Sequence, residues 1–195
     1  IEVLERSLSF VSTPRSPVFF NLGLCYLLLG RFNPGWKYYE HRLFTDQVPS
    51  SAQPSSGTLL TSLSQLESVP NIPLLVWAEQ GLGDVIHFMR YLLLLDLLHI
   101  NYIFYCHPLL ITLVRDWLKP KCIVLPLPLN ADASSHETFH IPLLSLPRLF
   151  NTELTTIPST IPYLSAPFSS NATHLIVSPP GGISVGIVWS SNKDN

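Results

Sequence analysis

Leu74-Leu75-Val76-Trp77-Ala78-Glu79-Gln80-Gly81-Leu82-Gly83-Asp84-Val85-Ile86-His87-Phe88-Met89-Arg90-Tyr91 is the stretch whose reading decides the fold of this chain. A short apolar run stops at a glycine-bracketed turn, and a long amphipathic segment follows at once. That order is a buried parallel strand feeding a helix over a ligand cleft. Gly81 and Gly83 permit positive φ and close backbone approach. Free N–H groups at a helix start favour an anion or a phosphate. One acid, Asp84, stands where the helix begins.

Outward from this turn, strand and helix signals alternate. Strands are expected over 74–78, 102–106, 122–125 and 139–141, and helices over 84–98 and 109–118. A short helix is expected over 142–150, where Pro147 is a potential break. The run β-α-β-α-β predicts an α/β fold with a doubly wound parallel sheet and right-handed crossovers. Ligands of such sheets bind outside the carboxyl ends of the strands, where Glu79 to Asp84 stand. A last strand over 184–189 follows Gly181-Gly182 and reads as the start of another domain, with the chain stopping six residues later.

Upstream, the first 45 or so residues read as helical. Apolar side chains cover most of the 19–29 segment, with small Gly23 allowing a close helix approach. Gly30 stops this helix. Asn33 is the expected N-cap of the next, with Pro34 at its first position. That helix runs through Trp36, Tyr39 and Leu43. The domain reading is therefore helices over 1–46, a linker over 47–71, a Rossmann-like sheet domain over 72–180 and the start of a second lobe over 181–195. Serine and proline, including Ser50, Ser51, Pro49 and Pro54, make the linker polar and turn-rich. It is expected to be loop with at most a short helix over 58–66.

Composition narrows the functional classes. A chain of 195 residues with 47% apolar residues can bury a sizeable core. Charged residues are only 12% and the net charge is −2, so no electrostatic footprint for nucleic acid exists. Three widely spaced cysteines without a CxxC pair read as free thiols in a reducing, cytoplasmic setting rather than as a disulfide framework or zinc site. No secretory signal is visible. The chain opens at Ile1 in what reads as mid-helix, so a native N-terminus is expected to be missing. The apolar run at 91–98 contains Asp96 and is too short to cross a bilayer.

The turn itself excludes the common cofactors. Its G-x-G-D pattern lacks the third glycine of a dinucleotide fingerprint. Cys106-His107 stand where the ribose-binding acid would be expected. No Walker lysine follows. His136-x-x-x-His140 with Glu137 has helical metal spacing, yet it falls on an expected loop and strand, so no zinc site is expected. Gly-x-Ser-x-Gly does not occur. Asp84 then has two compatible readings: a carboxylate satisfying helix amides, and a catalytic group facing the cleft.

Two segments carry a family resemblance. Asn21-Leu22-Gly23, Leu28-Leu29-Gly30-Arg31-Phe32 and Gly35-Trp36-x-Tyr38-Tyr39-Glu40 resemble a tetratricopeptide repeat, with residues before Pro14 similar to the closing helix of a preceding one. About one and a half repeats are present, too few for a solenoid standing alone. The hairpin must therefore bury its apolar face on something, and the following domain is available. The stretch 77–91 resembles the first strand–turn–helix of two-lobed GT-B glycosyltransferases. It is closest to bacterial tetratricopeptide-repeat proteins with a glycosyltransferase-like C-terminal region, and similar to heptosyltransferases of the family 9 type. Phe139-His140-Ile141-Pro142-Leu143-Leu144-Ser145-Leu146-Pro147, Ile161-Pro162-Tyr163-Leu164 and Val185-Gly186-Ile187-Val188-Trp189 resemble later family segments in the same order.

The resemblance implies glycosyl transfer from a nucleotide-sugar, which is a substrate, with no further cofactor and no metal. It makes Asp84 the general base that takes the acceptor's hydroxyl proton. His87, one turn along on the same helix face, would orient that carboxylate or touch the acceptor, or else pack half-buried against the linker. Glu79 and Gln80 would bind sugar hydroxyls or tie down the turn formed with Gly81 and Gly83. Ser190, Ser191 and Asn192 match a loop approaching the donor diphosphate. The rest of the donor pocket belongs to the second lobe, so this chain alone is not expected to turn over a nucleotide-sugar. The other class open at this point is a non-catalytic interaction module, in which the repeat-like helices bind a protein partner.

Overall fold

The computed structural model describes residues 1–7, 16–46, 48, 53–69, 71–118, 122–127 and 138–164, all within one compact unit, Ile1–Ser165. The fold is mixed α/β around a five-stranded, all-parallel sheet. Its strands are β1 (Thr58–Leu59), β2 (Leu74–Trp77), β3 (Tyr102–Cys106), β4 (Ile123–Pro126) and β5 (Phe139–Pro142), in the order β1-β5-β2-β3-β4. Register is set by Leu74 opposite Tyr102, Trp77 opposite Tyr105 and Pro142, and Phe104 opposite Val124. From β2 the chain steps outward to β3 and β4, then returns to the other side of β2 as β5. The strand order reverses between β2 and β5, and that reversal is where open α/β sheets form a crevice at their carboxyl ends.

β2 is an unbroken apolar run because both of its faces are covered. Leu74, Val76, Phe104, Val124 and Ile141 face the larger core with the helices. Leu75, Trp77 and Tyr105 face the opposite side, with Val48. The helices are α1 (Glu2–Ser7), α2 (Ser16–Leu28), α3 (Phe32–Tyr39), α4 (Leu82–Phe88), α5 (Leu92–Leu97), α6 (Ile111–Leu118) and α7 (Leu146–Leu149). Val85, Leu92, Leu95, Val114 and Leu118 are the apolar residues that α4, α5 and α6 bury on the sheet.

Several expectations change. The second helix of the pair starts at Phe32, with Arg31 rather than Asn33 at its cap, and ends at Tyr39, so Leu43 lies on a 3-10 turn, Glu40–Phe44. The helix read as continuous over 84–98 is α4 and α5 joined by a 3-10 turn, Met89–Tyr91. A 3-10 turn keeps apolar side chains three residues apart on one side, so the sequence pattern does not show the break. The linker supplies a strand: β1 pairs with the outer edge of β5 through Thr58 N–H to Thr138 O (3.0 Å) and Leu60 N–H to His140 O (2.8 Å). Its short helix is 3-10 and lies at Leu63–Ser68 rather than over 58–66. Pro147 breaks nothing, because it sits in the first turn of α7, where a proline costs no hydrogen bond.

The helix pair α2–α3 joins the sheet unit through a shared core. Trp36 and Tyr39 lie in the main cluster with Val76 and Met89. Trp36 Nε1 donates to Thr152 O at 2.9 Å. The two helices touch backbone to backbone at Gly23, where a Cβ would stand 2.6 Å from Tyr39 N. No other residue fits there without moving α3. The three cysteines are free, with Cys106 buried. Among the described residues no helix is long and apolar enough to cross a membrane.

Candidate functional site

The turn after β2 is built differently from the sequence expectation. The left-handed residue is Gln80, at φ 63°, while Gly81 is extended at φ −78° and Gly83 lies in α4 without a positive φ. An L side chain in that region costs about 1–3 kcal/mol and persists only where neighbours over-determine it. Helix α4 also begins earlier than Asp84. Gly81 is its N-cap, and Asp84, at the third helical position, accepts the Gly81 N–H through Oδ2 at 3.2 Å. A glycine cap brings no side chain of its own, so the acid reaches back from inside the helix.

Directly behind the turn is a buried charge cluster. Arg42, fully buried after α3, reaches the carboxyl ends of β2 and β5. Its Nε and Nη2 both donate to Glu79 Oε1, at 3.1 and 2.5 Å. Nη1 donates to Tyr39 O at 3.3 Å and to Glu40 Oε1 at 3.0 Å. Nη2 also donates to Ser145 Oγ at 2.8 Å. All five N–H donors of the guanidinium therefore have acceptors. Ser145 Oγ donates in turn to Glu40 at 2.8 Å, and Arg148 Nε stands 3.3 Å from Glu40 Oε2. Two cations face two carboxylates, which satisfies the rule that charges taken out of water are paired.

Glu79 is the costly member of this cluster. Burial pushes its carboxyl up to about 7, against the opposing pull of the Arg42 guanidinium. A carboxyl raised in the folded state holds a proton that the unfolded chain has already released. Its stabilisation is thus complete below about pH 4.5 and is lost as pH rises towards 7. Urea denaturation should show wild-type stability falling over that window relative to Glu79→Gln, by up to roughly 3 kcal/mol. A pH-independent difference between the two proteins would refute this account.

The remaining predicted residues lie on the outer side of the turn. Gln80 is half-buried, with Nε2 donating to the Tyr39 hydroxyl at 3.4 Å. Asp84 is half-buried, and a Cβ on Gly83 would point into open space. His87 is exposed, its ring 5.1 Å from that of Phe88. The helix carrying them is held from below by residues 158–163. Arg90 Nη1 donates to Pro158 O at 2.9 Å and its guanidinium stacks on the Tyr163 ring at 4.6 Å. The Tyr163 hydroxyl donates to Ile86 O.

The structure thus brings Glu79, Gln80, Gly81, Gly83, Asp84 and His87 onto the turn and the helix it opens, with Glu79 facing inward on Arg42, Gln80 tied to the Tyr39 hydroxyl, and the others towards solvent. Glu79, open between sugar binding and tying down the turn, is 3% exposed and holds the helix pair. Ser190, Ser191, Asn192 and the 184–189 strand lie outside the described residues, as do His136 and Glu137. His140 sits on β5, its Nδ1 accepting from Trp77 Nε1 at 3.3 Å. Arg42, Ser145 and Glu40 were not anticipated. The available signal was Glu79 itself, since an acid two residues beyond a fully buried strand needs a cation, and this chain holds only 11 lysines and arginines. No protein-family model matches the chain, and neither does a curated protein or a solved structure.

Proposed function

We propose that this chain is the acceptor-side lobe of a nucleotide-sugar-dependent glycosyltransferase of the two-lobed GT-B kind, carrying a helix pair of the tetratricopeptide-repeat type. The observation that supports this reading is the place of Asp84. It is a half-exposed carboxylate in the first turn of the helix that follows the central strand, beside the reversal of strand order. In the proposed reaction the acceptor hydroxyl oxygen attacks the anomeric carbon of the donor sugar. The bond from that carbon to the donor diphosphate breaks, its electron pair leaves with the nucleoside diphosphate, and Asp84 takes the hydroxyl proton. His87, three residues on, contacts the acceptor, and Gln80, its Nε2 held by the Tyr39 hydroxyl, offers its Oε1 to a sugar hydroxyl. The donor is held by the second lobe, with Ser190, Ser191 and Asn192 nearest its diphosphate. The interaction-module reading is less well supported, because Trp36 and Tyr39 commit the inner face of the helix pair to the sheet unit's own core.

The test is nucleoside-diphosphate release from a panel of uridine, guanosine and adenosine diphosphate sugars by the protein that carries both lobes. Asp84→Asn should retain donor binding by calorimetry while turnover falls at least about a hundredfold, the usual effect of removing a general base. Full turnover by Asp84→Asn, or a gene that encodes no second lobe, overturns the reading.

A further inference from the structure

Two contacts run from the end of α3 and the 3-10 turn after it to consecutive residues of the turn after β2. Arg42 holds Glu79 through two hydrogen bonds to one oxygen, and the Tyr39 hydroxyl accepts from Gln80 Nε2. The Arg42 guanidinium also lies 4.6 Å from the centre of the Tyr39 ring, so the two grips are a single unit. The left-handed backbone of Gln80 is thus held through its own side chain and through the residue before it, the over-determination that such a backbone needs. The next residue, Gly81, gives its N–H to Asp84 and its C=O to Val85 N–H at 3.1 Å. Any change in Gln80 φ therefore re-aims the Gly81 amide and with it the Asp84 carboxylate.

We propose that the α2–α3 helix pair is a positioning device for the candidate site, with Arg42 and Tyr39 as positioning residues that fix the Gln80 turn and so aim Asp84. The guanidinium cannot itself be a ligand group, because its donors are all taken. Its work is geometric: five short contacts converge on it from three parts of the chain, and one of them is the residue before Gln80. The inference deepens the proposed function and rests on it in one respect, that the Asp84 carboxylate is the group whose aim matters.

The experiment is nuclear magnetic resonance on the whole chain, comparing wild type with Arg42→Lys and Tyr39→Phe. Lysine keeps the charge but cannot fork to several acceptors. The intraresidue amide-to-Hα NOE of Gln80 is strong only while φ is positive, so it reads the turn directly. Both variants should weaken that NOE. Amide exchange at Gly81 and Val85 should rise by roughly tenfold in Arg42→Lys, as for loss of one charge-assisted hydrogen bond, and by less in Tyr39→Phe. Leu74 and Ala78, whose amides bond across the sheet to Asn101 and Tyr105, should be unchanged. If Arg42→Lys does not fold, Tyr39→Phe decides by the same readout. A Gln80 NOE retained in the folded variants, or exchange that rises at Leu74 and Ala78 as much as at Gly81, overturns the inference. None of these readings uses turnover. An inactive Asp84→Asn together with an unmoved Gln80 in Arg42→Lys and Tyr39→Phe would defeat the positioning role alone. A loosened Gln80 in a protein that transfers no sugar would defeat the enzymatic reading alone.

Discussion

Arg42→Ala should cost about 3–5 kcal/mol of folding stability, the effect of breaking a buried pair by removing one partner. The loss should be larger at pH 8 than at pH 5. Glu79 would be left 3% exposed without the two donors its Oε1 now accepts. With the guanidinium present, burial already holds its carboxyl near 7. Without it, the same burial acts unopposed and the carboxyl rises further. The sign follows from linkage: the folded state then keeps a proton over a wider window in which the unfolded chain has released it, so the variant continues to lose stability above the pH at which wild type levels off. At low pH, where Glu79 is protonated in both proteins, the remaining cost is the vacated volume and the lost bonds to Ser145 and Glu40. Replacing both partners, as in Arg42→Met with Glu79→Leu, should recover most of the loss, because a well-packed apolar pair carries no desolvation penalty. Urea denaturation at the two pH values measures all of this. A loss below about 1 kcal/mol, or one indifferent to pH, would mean that the cluster behaves as a surface pair and that the helix pair is held by apolar contact alone.

What could be read from the sequence followed from how local each determinant is. β2 and β3 were legible because each is a short apolar run between turn residues, the signature of a parallel strand buried on both faces; β4, at the sheet edge, shows an apolar run between turn residues although only Val124 is buried. The carboxyl-end turn was legible because Gly81, Gly83 and Asp84 are contiguous. β1 was not: Thr58 and Leu59 are too short to show a period, and they are a strand only because the edge of β5 offers unpaired backbone groups. The 3-10 interruption at Met89–Tyr91 leaves no mark in the apolar spacing. At the site, the outward residues Gln80, Asp84 and His87 could be named from their neighbourhood. Arg42 could not, since its partners are 37 residues away at Glu79 and 103 residues away at Ser145. Pairing across that distance is a property of the packed fold. The strain at Gln80 was missed for a related reason. Two flanking glycines invite the left-handed conformation, but the grip of Tyr39 and Arg42 on residues 79 and 80 places it one residue earlier.

Trp36→Ala should be comparably damaging, about 3–5 kcal/mol as for other buried aromatic truncations, and for a separate reason. Trp36 is 8% exposed and joins α3 to two other parts of the chain. Its ring meets Phe88 of α4 edge-on at 6.4 Å and Tyr39 edge-on at 6.1 Å. Its Nε1 donates to the carbonyl of Thr152, a residue that is itself buried. Truncation removes the ring, opens a void between α3 and α4, and leaves the Thr152 carbonyl in an apolar setting without that donor. Trp36→Phe separates the two effects: it keeps most of the ring contact and forfeits only the hydrogen bond, at about 1–3 kcal/mol for the orphaned group. Chemical denaturation of both variants measures the split. Tyr39 links this apolar joint to the charged one, since it packs on Trp36, carries Arg42 over its ring and accepts from Gln80. Losing either joint frees it. The double variant Trp36→Ala/Arg42→Ala should therefore lose less stability than the sum of the single losses, by at least about 0.5 kcal/mol, the least seen for residues sharing a partner. Strict additivity would show that the two joints hold the helix pair independently, and that Tyr39 does not transmit between the core and the Asp84 turn.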